Sequence, residues 1–293
     1  MSIVEFPVHE KGSGPYGIVT GPDGALWFTQ VHHGRIGRLD PAGTYVSYPL
    51  EPSSGPTVIT TGPDGALWFT EYQCHRIGRI TTDGSVTAFD LPTLEAGPYG
   101  ITTGPDGALW FTEITAGKIG RITVTGQVTE FDLPVAGSFP TMIVAGPDGA
   151  LWFTMNQAGA IGRITTDGVV TTYPLPAEGS APVGITAGAD GALWFAEIGA
   201  GQIGRITMDA AITEFPLPDR AARPHAITVG PDGRCWFTEW GTGRVGRIGR
   251  DGDVETYALA DPASEPHGIA LGPGGALWVA LETGSIARLT PSA

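Results

Sequence analysis

Two carboxylates and a histidine lie close together near the C-terminal end of the chain: Glu265 and His267 in EPHGI, and Glu282 at the end of ALWVALE. Carboxylate oxygens are hard donors suited to a divalent cation such as Mg²⁺, which keeps several waters that a substrate carbonyl could replace. An imidazole left free of the metal titrates near neutral pH and can act as a base. Glu265 and His267 are two residues apart, so on an extended segment both point to one side. Such a set can hold a cation and keep a base beside it.

The elements that would position these groups are legible because the chain repeats. Trp27, Trp68, Trp110, Trp152, Trp194, Trp236 and Trp278 are spaced 41 residues apart once and then 42 each time, so seven units fill the 293 residues. The third unit sets the pattern. PYGITTG runs into the turn GPDG; then come ALWFTE, a short turn, KIGRIT, another turn and QVTEFDL. These read as four short strands bounded by Gly, Pro or Asp, with no helical periodicity. Four strands in about 40 residues is a propeller blade. The expected fold is therefore all-β, a seven-bladed β-propeller forming one domain over residues 1–293.

The chain ends at ARLTPSA, which leaves blade seven one strand short. SIVEFPV, from Ser2 to Val8, copies the fourth-strand sequence ITEFPLP and precedes blade one. Residues 1–9 should therefore complete blade seven and close the ring, removing two unpaired edges. Pro7 and Pro216 then fall in outer strands, where a missing backbone donor costs little. The recurring tryptophans read as packing between blades, and GPDG as a tight turn. Arg38, Arg79, Arg121, Arg163, Arg205, Arg247 and Arg288 read as partners of turn or strand-end carboxylates.

Exceptions to the repeat carry the chemistry. Eleven residues before each tryptophan stand Tyr16, Thr57, Tyr99, Thr141, Val183, His225 and His267. Two positions before those are Gly14, Gly55, Gly97, Phe139, Ala181, Arg223 and Glu265, and three after each tryptophan are Gln30, Glu71, Glu113, Met155, Glu197, Glu239 and Leu281. The start of the first strand and the end of the second share one end of an antiparallel hairpin. All three series should ring one mouth of the central channel. Blade seven neighbours blades six and one, so Tyr16, His225 and His267 should converge. Glu282 lies one step beyond the usual glutamate, and the turn after it is one residue shorter, which would re-aim its carboxylate. Trp240, in FTEW, is outside the rhythm and could stack on a ligand or pack against a loop. Glu71, Glu113, Glu197 and Glu239 read as a solvated or water-bridged ring that raises the local cation concentration. His9, His32, His33 and His75 fall in loop-like segments and are assigned no role. A blander reading has His225 and His267 satisfying buried backbone groups, but the coincidence of five such residues in adjacent blades favours a site.

A formal charge of −14 argues against nucleic-acid or anionic-membrane partners. The N-terminus lacks a basic region followed by an apolar run, and no apolar run approaches the roughly 20 residues of a membrane span. Two cysteines in distant repeats make no disulfide framework. A cytoplasmic monomer is the expectation.

The segments GPYGI, RPHAI, FTEWG and EPHGI, with the offset Glu282, resemble the virginiamycin B lyase (streptogramin B lyase) family, and the resemblance covers essentially the whole chain. It implies a seven-bladed propeller that linearises cyclic depsipeptide antibiotics by Mg²⁺-dependent elimination. Carried over, Glu265 and Glu282 would bind Mg²⁺, His267 would be the general base, and His225 and Tyr16 would bind and orient the substrate. The high Ala, Gly and Pro content and the negative charge leave substrate preference open. Two alternatives stand beside this reading. A metal-dependent lactonase or esterase would add water to its product, and a non-catalytic binding propeller would need neither metal nor His267.

Overall fold

The computed structural model describes residues 1–8 and 12–291; His9, at the end of the expected closing segment, lies outside the described residues. The described strands form seven four-stranded antiparallel sheets. In blade three the strands are Pro98–Thr103, Leu109–Glu113, Lys118–Ile122 and Val128–Asp132, paired in sequence order from the channel outward. The innermost strand touches the innermost strands of blades two and four. Seven sheets arranged this way close a ring, as the repeat requires. Among the described residues no helix is long and apolar enough to cross a membrane.

The second strand, LWFTE, is buried throughout because both its faces meet neighbouring sheets. Trp110 belongs to one apolar cluster with Ile143, Leu151 and Phe153 of blade four, so the tryptophan does pack between blades. Phe131 of the outer strand stacks on it at 5.5 Å. Asp106, in the GPDG turn, accepts from Trp110 Nε1 at 3.0 Å and from Arg121 Nε at 2.7 Å. The guanidinium then lies 5.9 Å from the Trp110 ring centroid. This Asp–Trp–Arg latch recurs in blades one to six. In blade seven Gly274 replaces the aspartate, and Trp278 Nε1 and Arg288 Nε have no hydrogen-bond partner.

The ring closes as the termini suggested. Ser2–Pro7 pairs with Ser285–Thr290 in an antiparallel register running from Ser2↔Thr290 to Pro7↔Ser285. Phe6 sits 5.5 Å from Trp278, in the place that the outer-strand aromatic fills elsewhere. Arg288 covers both rings, 5.4 Å from Phe6 and 5.6 Å from Trp278.

Two local devices aim residues at the channel mouth. Every innermost strand carries a β-bulge after its first residue, as between Pro98 and Ile101 or between Pro266 and Ile269. The extra residue releases Tyr99, His267 and their equivalents from ladder pairing. The threonine two places after each tryptophan then ties one blade to the next. Thr112 Oγ1 accepts from Gly100 N at 2.9 Å and donates to Thr141 O, in blade four, at 2.6 Å. Thr29, Thr70, Thr154 and Thr238 do the same. Blades five and seven have Ala196 and Ala280 instead. The backbones approach as closely there as at the threonine seams: a Cβ on Gly184, Gly268 or Gly100 would come within 2.4 Å of His225 O, Tyr16 O or Thr141 O, respectively.

Candidate active site at the channel mouth

His267 stands in the bulge of the strand Pro266–Leu271 and is only 7% exposed. Its carbonyl oxygen accepts from Thr238 Oγ1 of blade six at 2.8 Å, which anchors its backbone across the seam. The imidazole lies 4.3 Å from the Tyr16 ring and meets His225 edge-on at 4.7 Å. Blades one, six and seven thus bring Tyr16, His225 and His267 together. His267 Nε2 donates to Glu282 Oε2, while its Nδ1 is buried without a partner. The other oxygen of Glu282 accepts from His32 Nε2 at 2.8 Å.

Electrostatics assign the protonation states around this histidine. The hydrogen bond from His267 outweighs partial burial and, helped by His32, holds Glu282 below the usual carboxylate range, so it is ionised. Burial, reinforced by the neighbouring His267, depresses His225 to about 3, leaving a neutral imidazole at neutral pH. Burial pushes Tyr99 up to about 12 and raises Tyr16 well above its ordinary value, so both phenols keep their protons. Tyr16 and Tyr99 share a hydroxyl–hydroxyl hydrogen bond, and Tyr16 Oη is 3.3 Å from His225 Nε2. Neutral donors therefore surround one carboxylate–histidine pair.

Tyr99 and His225 also separate two spaces. Below them is the apolar channel, about 150 Å³, lined by residues such as Ile18, Ile59 and Ile101. Outside is a cleft of about 320 Å³ among Tyr72, Ile114, Phe139, Val183 and Ile198.

Glu265 does not share a side of an extended strand with His267, as their spacing suggested. Its φ is +50°, in the left-handed region, so strand alternation does not apply. The whole series has this geometry: Gly14, Gly55 and Gly97 adopt it freely, while Phe139, Ala181, Arg223 and Glu265 do so at a cost of about 1–2 kcal/mol each. Ala181 shares the strain without a functional side chain, so the strain by itself does not single out Glu265. Glu265 reaches Glu282 by another route, its carbonyl accepting from Glu282 N at 3.2 Å, which puts both carboxylate-bearing residues at one hairpin end. Glu265 is exposed and lines a polar cleft of about 400 Å³ with Arg223 and Trp240. The Trp240 ring lies 6.4 Å from His267, so it belongs to the site surroundings.

Among the described residues no three His, Cys, Asp or Glu side chains converge as a ready metal cage. Two carboxylates on facing backbone positions nevertheless fit Mg²⁺, which is commonly held by one or two carboxylates with water and substrate completing the octahedron. The Glu282 oxygens now satisfied by two imidazole N–H groups are anionic acceptors of the required hardness.

The expected solvated glutamate rim is absent. Glu71, Glu113, Glu197 and Glu239 are at most 1% exposed, because the second strand is enclosed by its neighbours. Glu71 accepts two hydrogen bonds from Arg76, Glu197 one from Gln202 Nε2, and Glu239 one from Thr242. Both oxygens of Glu113 are buried without partners, and burial, together with Glu130, pushes its carboxyl up to about 8. Sequence reasoning missed His32, Tyr99 and Thr238. His32 is a loop residue whose importance shows only once the ring places its turn beside Glu282. Tyr99 was in the mouth series, but blade three is no neighbour of blade seven, and its contact with Tyr16 crosses the channel.

Residues 1–289 match the virginiamycin B lyase family. The curated virginiamycin B lyase of Saccharopolyspora erythraea is 60% identical over 51 residues, a stretch spanning about 17% of either chain. The crystal structure of virginiamycin B lyase from Staphylococcus aureus is 44% identical and superposes with a TM-score of 0.95 over 99% of both chains. A catalytically inactive His→Ala variant of the Staphylococcus aureus enzyme, solved with quinupristin, is similar at 43% identity and a TM-score of 0.95, again over 99% of both chains. The chain described here belongs to the virginiamycin B lyase family.

Proposed function

We propose that this protein is a streptogramin B lyase that linearises cyclic depsipeptide antibiotics by Mg²⁺-dependent elimination at the lactone linkage, and so confers resistance. One observation carries the reading: a buried histidine, bound to a carboxylate and enclosed by Tyr16 and His225, in a chain alike over its full length to the Staphylococcus aureus lyase. That relative is inactivated by replacement of a single histidine.

In this mechanism the His267 imidazole takes the proton from the Cα adjacent to the substrate carbonyl. The freed electron pair forms the Cα–Cβ double bond, the Cβ–O bond breaks, and the acyloxy group leaves as a carboxylate. No water enters, so the linear product has the mass of the ring. Glu282 orients His267 through the Nε2–H bond and stabilises the imidazolium as it forms, the role that a buried carboxylate plays beside a catalytic histidine. Tyr16 and neutral His225 supply hydrogen bonds that fix the substrate, and Trp240 offers it an aromatic face. Glu265 and Glu282 would hold Mg²⁺, which when bound polarises the carbonyl next to the acidic Cα–H.

The proposal includes one domain over residues 1–293 acting as a cytoplasmic monomer, with a small molecule and neither nucleic acid nor membrane as partner; the charge of −14 supports only the last of these. Mass spectrometry of a streptogramin B incubated with the purified protein tests the reaction. A linear product of unchanged mass, formed with Mg²⁺ and not with EDTA, is expected. A product heavier by one water would make the protein a hydrolase instead.

A further inference from the structure

The mechanism above leaves Arg223 unused. It stands at the same ring position as Glu265, one blade earlier, and holds a left-handed φ of +51° that glycine would adopt without strain. Its guanidinium lies 5.4 Å from the Trp240 ring centroid, and the Trp240 ring is 6.4 Å from His267. Arg223, Trp240 and Glu265 line one cleft of about 400 Å³, connected to the base through the Trp240 ring. The scaffold arginines behave differently, each of Arg38, Arg79, Arg121, Arg163, Arg205 and Arg247 being paired with a turn aspartate. Arg223 has no carboxylate within ion-pair distance among the described residues, although acidic residues outnumber basic ones 30 to 16. Beside it, Trp240 Nε1 is a buried donor with no acceptor. A strained cation and the tryptophan that carries this orphaned N–H thus line one space.

Elimination creates a group that matches them. When the Cβ–O bond breaks, the acyloxy oxygen takes the bonding electrons, and the ester, neutral until then, becomes a full carboxylate. A guanidinium binds carboxylate through two parallel N–H donors, and an indole N–H can add a third. We propose that Arg223, with Trp240 Nε1, binds the departing carboxylate, stabilising it as charge develops and holding the linear product until release. This rests on the lyase reading. It gives Trp240 a hydrogen-bonding task besides an aromatic face, and it accounts for an arginine at a glycine-type position. Stacking on Trp240 fixes the guanidinium plane before substrate arrives.

The test compares two ligands that differ only at the terminus in question: the linear product as the free acid and the same linear peptide as its C-terminal amide. Their inhibition constants are measured against the wild-type protein and against Arg223→Gln, Arg223→Lys and Trp240→Phe. The wild type should favour the acid over the amide by about tenfold or more, the usual worth of a hydrogen bond to a charged group. Arg223→Gln should bring the ratio close to one and lower kcat, Arg223→Lys should restore part of the preference, and Trp240→Phe should reduce it less. Unchanged thermal melting separates this from misfolding. An acid-to-amide ratio that is the same in wild type and Arg223→Gln, with wild-type turnover intact, would overturn the assignment of Arg223 alone. Absence of any unchanged-mass product from the wild type would overturn the lyase reading, and the inference with it.

Discussion

Blade three carries Asp106 between Trp110 and Arg121, whereas blade seven has Gly274 at that place and leaves Trp278 and Arg288 without it. Blade three presents Tyr99 at the channel, preceded by Gly97 in a relaxed left-handed turn; blade seven presents His267, preceded by Glu265 in a strained one. The glutamate that ends the second strand in blade three, Glu113, is enclosed without partners, while in blade seven that place is Leu281 and the carboxylate moves one residue on, to Glu282, where two histidines reach it. The two blades have the same four strands and the same bulge. What separates them is a handful of side chains at one end, placed where the fold already releases residues from strand pairing. A repeated scaffold lets one unit give up local stabilisation for chemistry, because its neighbours on both sides hold it in place.

Glu282→Gln should do the greatest damage of the variants that sharpen this contrast. It removes the anion that orients His267 and stabilises its protonated form, and kcat should fall by about 10²–10³-fold. The equivalent change in blade three, Glu113→Gln, should leave turnover unaltered; steady-state kinetics of both variants decide.

Thr238→Val and Thr112→Val form a closer pair. Each removes a hydroxyl that accepts one backbone N–H and donates to a carbonyl of the next blade, so each should cost about 1–3 kcal/mol in denaturant unfolding. Only Thr238 anchors His267, and displacement of the base by a fraction of an ångström should cost roughly tenfold in kcat. Equal activity in the two variants would show that the anchoring of His267 does not matter.

The smallest effect is one of stability alone. Burial raises Glu113 from its ordinary 4.5 to about 8, so the folded state favours the protonated form. Its contribution is fully present below pH 4.5 and is lost as pH rises through 8. Glu113→Gln should therefore melt higher than wild type at pH 9, by about 2–4 °C per 1–2 kcal/mol recovered, and show little difference at pH 4. Thermal melts at the two pH values check the sign.

Much of this is legible in the residues alone. The tryptophan rhythm fixes the phase of every blade, so Tyr16, His225 and His267 can be placed at one mouth by counting, and the outer-strand copy in SIVEFP names the closing partner. Closure brings blades one and seven together, and the chemistry follows from that. The errors have physical causes. Spacing of i and i+2 implies a shared side only where the backbone is extended; the glycines at 14, 55 and 97 already signalled a left-handed turn at the position of Glu265. Strand-end glutamates suggest solvent in an isolated hairpin, but stacked blades enclose them, and the polar residues at Arg76, Gln202 and Thr242 were the sign that partners are provided within the blade. His32 carried no signal of its own, since its partner is 250 residues away.

The most direct test is the turnover of His267→Ala against a streptogramin B, followed by product mass, alongside His225→Ala and wild type with folding checked by circular dichroism. With His267 as the base, His267→Ala should lose at least about 10³-fold in kcat while keeping the wild-type fold. A folded His267→Ala protein that still yields the linear, unchanged-mass product within tenfold of the wild-type rate would contradict the account, and the base would have to be sought elsewhere at the mouth.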